Sequence, residues 1–428
     1  MSSLQPSPYH FAPAAKKFFI LAAALLSIVY LAGAFTPLHL HVDSIRYFNI
    51  KDCIEFGCPS GSFAATDSLP YGYTFLLIAF SKLGILNHIS IVLINCVFLF
   101  CGLYFVWHIL KMHVPALLVI ILSLFNWTII KFAIHPLSEM QYIFFSFASL
   151  YCFHRYVQQN SYVWLGSAFV LSLFTILTRT IGISLVPALV LGIAWQHRAG
   201  LKDLLIKNKI IVIIGIGIFA VLLFFAKQFR ILEYASSLKG PFQKGIVHFV
   251  MQNLEYHFTE LSEIFVNAPS NKVLHYLPSS LGTGIFIGFG MLIFFALVYL
   301  MFRKSTLPFY IKAYLFFYLL IIMNWPYYDP RFWVPVIPIV AALALTFPYH
   351  NYFTGRIFSR LYIGYYMVTG FIAAAYALSV GLDKETFSTH HATGVYRNEY
   401  EQHFFDKPLS DTAKKIDQNV LDILNKYD

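Results

Sequence analysis

The sequence predicts an all-α polytopic membrane protein, and three observations predict it. Of 428 residues, 58% are hydrophobic and only 12% are charged, where a soluble domain carries about 25% charged residues. Apolar runs of near-spanning length recur along most of the chain. The formal net charge of +10 fits Lys and Arg gathered on cytoplasmic loops. A disordered chain, a coiled coil and a disulfide-rich secreted domain are excluded by this composition. A soluble enzyme is disfavoured, and nucleic acid is not an expected partner.

Taken in order, Lys16 and Lys17 precede an apolar run from Phe18 to Phe35. It is too long for a signal-peptide core and no small-residue cleavage site follows, so it reads as the first span. Apolar runs then fall near 89–110, 114–130, 139–153, 162–178, 181–196, 210–226, 281–302, 308–325, 332–347 and 361–381. About eleven transmembrane helices are expected. Segment 71–86 is shorter and interrupted by Ser81, Lys82 and Gly84. Whether it crosses sets the orientation of everything after it. If it does not cross, Lys16, Lys17, Arg155, the cluster Arg198–Lys209 and the pair Arg303/Lys304 all face the cytoplasm, with Asp203 as the sole acid there. If it crosses, the last two clusters face outward, against the positive-inside rule. Segment 71–86 is therefore read as a juxtamembrane helix at the outer interface.

This topology puts the N-terminus in the cytoplasm and the C-terminus outside, in a multi-pass protein of the inner (plasma) membrane. Residues 1–381 form the transmembrane domain, with a first periplasmic loop (37–88) and a large one (228–280). A short periplasmic tail (382–428) follows. The inner loops are all short, so function is expected on the outer face.

Ionisable groups at a membrane boundary are costly to dehydrate and ask for a reason. Five places bring them to one depth on the outer side. HVDSIRYF (41–48) holds Asp43, Arg46 and Tyr47. KFAIHPLSE (131–139) holds His135 and ends in Glu139. LTRT (177–180) holds Arg179, NWPYYDPRFWVP (324–335) holds Tyr328, Asp329 and Arg331, and the interfacial helix contributes Lys82. Each has a plain alternative. Asp43 reads also as a solvated loop acid or a helix cap, and Glu139 as a cap of the fourth span. Arg179 and Arg331 read also as snorkelling anchors, although Arg beside aromatics suits phosphate. Lys82 reads also as an ordinary interfacial lysine, and His135 as a loop residue. No His/Cys/acid spacing resembles a closed metal site, so no cofactor is expected. Cys96, Cys101 and Cys152 lie in apolar runs; Cys53 and Cys58 share a polar loop and would pair only in an oxidising compartment.

The order of these motifs resembles one family. A span is followed by D-S-x-x-Y (43–47), then LPYGYTFLLIAFSKLG (69–84), PLSEM (136–140), LTRTIGISLVPAL (177–189) and a late YDPRFWVPVIP (328–338). This is similar to the GT-C glycosyltransferases that use lipid-linked sugars, in the bacterial branch related to protein O-mannosyltransferases and aminoarabinose transferases. The resemblance covers roughly residues 15–200 and 320–350. Many such relatives carry Asp-Glu at the first-loop site, whereas here Ser44 follows Asp43. The resemblance implies a polyprenyl-phosphate sugar donor and a glycan, glycolipid or protein acceptor. It implies an inverting displacement with Asp43 as general base. Glu139 would orient the acceptor or Arg331. Lys82, Arg179 and Arg331 would hold the lipid phosphate.

The rival expectation is a lipid or anion transporter or flippase, with a non-catalytic scaffold as a third. Two segments lie outside the resemblance. In 228–280, Ile246, Val247, Phe249, Val250, Leu254, Phe258, Leu261 and Phe265 approximate one helical face, read as a cover on the bundle or a mobile lid. In the tail, Ser410 or Asp411 is a candidate cap for a short amphipathic helix.

Overall fold

The computed structural model describes residues 13–58, 62–198, 217, 243, 245–275, 278–347, 353–390, 394–406 and 415–428. Among the described residues every regular element is helical. In the first half, α1 (Pro13–Ala32), α2 (Val42–Phe56), α3 (Phe63–Thr66), α4 (Tyr71–Lys82) and α5 (His88–Leu110) are followed by α6 (Ala116–Leu124), α7 (Trp127–Ala133), α8 (Glu139–Gln159), α9 (Tyr162–Thr178) and α10 (Leu185–Gln196). The second half holds α11 (Ile246–Val266), α12 (Ser270–Leu274), α13 (Ser279–Phe302), α14 (Phe309–Ile322), α15 (Ile337–Ala344) and α16 (Phe353–Leu382). The last three are α17 (Lys384–His390), α18 (Arg397–Phe405) and α19 (Gln418–Tyr427).

Four helices are long and apolar enough to cross a membrane: Pro13–Phe35, His88–Leu110, Leu281–Phe302 and Thr354–Leu382. The pair α6–α7, bent by 62°, makes a fifth if it is one broken span. This corrects the eleven expected spans. The apolar runs do form helices, but many fall short. At 1.5 Å per residue, the 17 residues of α9 reach about 26 Å and the 14 of α14 about 21 Å, against a hydrocarbon core of about 30 Å. The run 210–226 lies outside the described residues, residue 217 apart. The long helices expose side chains a soluble protein would hide. Ile28 is 62% exposed, Leu292 71% and Phe358 72%. Such rows are at ease in lipid, and the chain is a helical membrane protein.

Segment 71–86 contains the 12-residue α4, about 18 Å long and too short to cross. It lies close against the end of α9: a Cβ on Gly72 would sit 2.7 Å from the Leu177 carbonyl oxygen. Small residues permit such close approach between helices.

Contacts sort the helix ends into two groups. The end of α8 meets the start of α14 through His154 Nδ1 and Tyr310 Oη, 2.6 Å apart. Thr306 Oγ1 donates to the His113 carbonyl at 3.0 Å, and Tyr156 Oη lies 2.9 Å from His197 Nε2. Lys111, Arg155, Arg198, Arg303 and Lys304 belong to this end. The opposite ends of the same helices gather the acids and arginines described below.

Helix α11, expected as a cover or a lid, packs into the bundle along much of its length. Its first turn stands out, with Ile246 66% and Val247 73% exposed, but Phe258, Leu261, Glu260 and Glu263 are buried. Gly290 of α13 lets α13 press on the Phe258 backbone, where a Cβ would collide. Asn267, at φ 58°, ends α11 and bonds into the α6–α7 break. Its Oδ1 accepts from Trp127 N–H at 2.8 Å, and its Nδ2 donates to the Phe125 carbonyl at 2.9 Å. Those are two of the backbone groups that the broken helix leaves unpaired.

The tail is ordered around α17–α19 and braces the site helix α2. Tyr427 stacks on Phe48 with centroids 4.8 Å apart, and the buried Lys51 ammonium donates to Tyr427 Oη at 2.6 Å. Leu40 N–H donates to Tyr400 Oη at 3.0 Å. Asp417 caps α19, accepting from Asn419 N–H at 3.1 Å. The expected caps Ser410 and Asp411 lie outside the described residues. Cys53 and Cys58 are paired as a disulfide at the end of α2.

Candidate functional site

Asp43 owes its position to the start of α2. His41 N–H donates to Ser44 Oγ at 3.2 Å and Asp43 N–H donates to His41 Nδ1 at 3.3 Å, a reciprocal cap that fixes the first turn. A carboxylate there is favoured by the helix N-terminus. Both its oxygens are taken. Oδ1 lies 2.8 Å from Arg46 Nη1, and Oδ2 pairs with Arg331 Nη2. Burial would raise this carboxyl, but Arg331 and Arg46 outweigh it and hold it at about 2. The nearby His41 is lowered by burial and by Arg331.

Arg331 arrives on a 3-10 turn, Pro330–Val336. Asp329 starts that turn and accepts Arg331 N–H at 3.1 Å on Oδ1, while its Oδ2 lies 2.6 Å from Arg331 Nε. Glu139, fully buried at the start of α8, reaches within 3.8 Å of the same Nε and pairs directly with Arg179 Nη1. The Phe332 ring lies near both guanidinium groups, 5.4 Å from that of Arg331 and 5.5 Å from that of Arg179. So Asp43, Glu139, Arg179, Asp329 and Arg331 converge. Five residues spread over nearly 300 positions of the sequence share one network.

Around it stands a support. Asp67 grips Arg46 with both oxygens, at 2.8 Å to Nε and 2.5 Å to Nη2. Glu260 of α11 accepts from Asp329 N–H at 2.5 Å and from Trp333 Nε1 at 2.9 Å. Its second neighbour is His257, whose Nδ1 lies 2.7 Å from Glu260 Oε2 and whose Nε2 lies 2.8 Å from the Trp325 carbonyl. A carbonyl only accepts, so the contact to Trp325 is made by an Nε2–H donor. Glu263 accepts from Tyr328 Oη at 2.5 Å and from Ser270 N–H at 2.6 Å. Burial raises the carboxyls of Glu260 and Glu263.

The remaining sequence candidates divide. Tyr47 is buried and donates to Ser138 Oγ at 2.9 Å, fixing the residue before Glu139. His135 is buried, with Nδ1 2.8 Å from the Lys131 carbonyl, and holds the turn after α7. Tyr328 belongs to the Glu263 contact. Lys82 is exposed at the far end of α4, and among the described residues no hydrogen bond or ion pair joins it to the network. Helix α4 meets the site through Tyr73, which lies 5.1 Å from Tyr47 between ring centroids, about two and a half turns before Lys82.

Sequence reasoning missed Asp67, His257, Glu260, Glu263 and Lys131. Asp67 sits in a polar loop with no motif. The three α11 residues were hidden because only apolar positions of that helix were weighed. Lys131 opens KFAIHPLSE and is the one exposed residue of α7, whose other six are buried. Among the described residues no group of three His, Cys, Asp or Glu is arranged to hold a metal ion. Neither the known protein families nor the curated proteins include a match to this chain.

Proposed function

We propose that the chain is an integral membrane glycosyltransferase moving a sugar from a polyprenyl-phosphate donor to a glycan, glycolipid or protein acceptor at the outer face of the cell membrane. One observation carries this reading: Asp43 and Arg331, 288 positions apart, meet at one end of an apolar helical bundle. A carboxylate and a guanidinium side by side are what inverting displacement from a lipid phosphate needs. The acceptor hydroxyl or amine loses its proton to Asp43 as its lone pair attacks the anomeric carbon. The bond to the phosphate oxygen breaks, and its electrons leave with the lipid phosphate.

A base held at about 2 takes a proton poorly. In this reading the donor phosphate draws Arg331 away, and Asp43 regains basicity as the acceptor arrives. Asp329 and Glu260 keep the arginine's backbone fixed meanwhile. Glu139 and Arg179 form a closed pair that orients Arg331 from behind. The outward orientation is supported by the Cys53–Cys58 disulfide beside the site helix, since disulfides persist in oxidising compartments. It is supported also by the basic residues at the opposite end of the bundle.

The test is transfer itself. The purified protein in lipid nanodiscs is given polyprenyl-monophosphate sugars, and release of polyprenyl phosphate is followed. Asp43→Asn is expected to abolish release while donor binding persists. Mass spectrometry of envelope glycans and lipids from a strain lacking the protein identifies the linkage. Near-wild-type turnover by Asp43→Asn would remove Asp43 from the chemistry.

A second reading, a lipid or anion transporter, is favoured by one feature. The 62° break between α6 and α7 is the kind of discontinuous helix that transporters use at substrate sites. Net movement of a labelled lipid across vesicles, without covalent change, would select it.

A further inference from the structure

We propose that Lys131 is the group that first receives the donor's phosphate in this site. The inference rests on the glycosyltransferase reading for the donor's identity, but not for the anion's chemistry. Every arginine of the network is already committed. Arg46 is held by Asp43 and Asp67, Arg179 by Glu139, and Arg331 by Asp43 and Asp329. An arriving phosphate that engaged any of them first would have to break a shielded ion pair.

Lys131 differs. No carboxylate lies within ion-pair distance of its ammonium among the described residues. Its ammonium lies over the ring of its chain neighbour Phe132, 5.1 Å from the centroid. Yet it belongs to the same neighbourhood: α7 packs against the 3-10 turn that carries Arg331, and Asp329, Glu263 and Arg331 are the charges that act on it. Both of those acids are occupied, Asp329 by Arg331 and Glu263 by Tyr328 and Ser270. The side chain is exposed although it rises from a helix whose other residues are buried. An ammonium in such a place is a point charge with three donors and suits a tetrahedral phosphate oxygen. Held there, the phosphate stands beside Arg331 and can win it from Asp43. Lys131 so takes the place that the sequence had suggested for Lys82.

The experiment is equilibrium binding to the full chain in nanodiscs of neutral lipid. The probes are a polyprenyl monophosphate and the uncharged polyprenol of equal length. Lys131→Met keeps the stem and removes the charge; Lys131→Arg keeps the charge. Methionine is expected to weaken the phosphate lipid by on the order of tenfold or more, leaving polyprenol unaffected, with arginine retaining most of the affinity. Inorganic phosphate tells the sources apart. Displacement of the lipid, lost in Lys131→Met, assigns the site to the free anion as well; no displacement assigns it to the lipid headgroup alone. Wild-type affinity in a folded Lys131→Met protein overturns the proposal. Binding needs no transfer, so a wild type that holds the lipid at Lys131 but moves no sugar defeats the proposed function while leaving this inference standing.

Discussion

Removing the charge of Asp43 tests the network at its centre. Its carboxyl moves from an ordinary 3.8 to about 2 against the opposing effect of burial. At 1.36 kcal/mol per unit, that is roughly 2 kcal/mol of stability. The folded value lies below the unfolded one. The contribution is therefore complete above pH about 4, is lost as pH falls toward about 2, and is fully present at pH 7. Arg331 is the stronger of the two attractions and Arg46 the weaker. A double-mutant cycle of Asp43→Asn and Arg331→Met should thus give a coupling of about 1–2 kcal/mol. Asp67 keeps Arg46 in place in every variant, so the cycle reports the Asp43–Arg331 pair rather than collapse of the loop. The assay is reversible unfolding in mixed micelles at pH 7 of four proteins: wild type, each single variant and the double. Single effects that add to within about 0.5 kcal/mol would show that the two groups do not touch, and the proposed site would fall with them.

Glu260→Ala should destabilise by about 3–5 kcal/mol, because it strips the acceptor from His257, Trp333 and the Asp329 amide inside the protein; a melting temperature equal to wild type would refute this positioning role. The His403–Asp428 contact, 3.0 Å, raises the histidine above 6.5. It should hold α19 fully below pH 6.5 and release it as pH rises through the raised value. Amide exchange in α19, corrected for intrinsic rates, should accelerate between pH 6 and 9 in wild type and be flat in His403→Gln; equal pH dependence in both proteins would sink the idea. A thiol reagent that cannot cross membranes should label Cys53 and Cys58 on intact cells only after reduction. Labelling that requires permeabilised cells would invert the topology.

The membrane class was legible in composition alone, because 12% charged residues leave most of the helical surface apolar. Charge balance argued against a crossing at 71–86. The helix that forms there is too short to span. The number of spans was not legible. Apolar runs state what a segment tolerates, not how long its helix runs before a Pro or Asn breaks it, as Asn126 does between α6 and α7.

Asp43, Glu139, Arg179, Asp329 and Arg331 were individually visible, since ionisable groups stand out where an apolar run ends. Their sequence positions determined that each lies near a boundary. Only the tertiary structure decided which acid faces which base, and that Lys131 has no carboxylate partner among the described residues. The reason is physical. Hydropathy sets depth along the bilayer normal, one residue at a time, whereas an ion pair depends on the rotation and packing of helices distant in the chain.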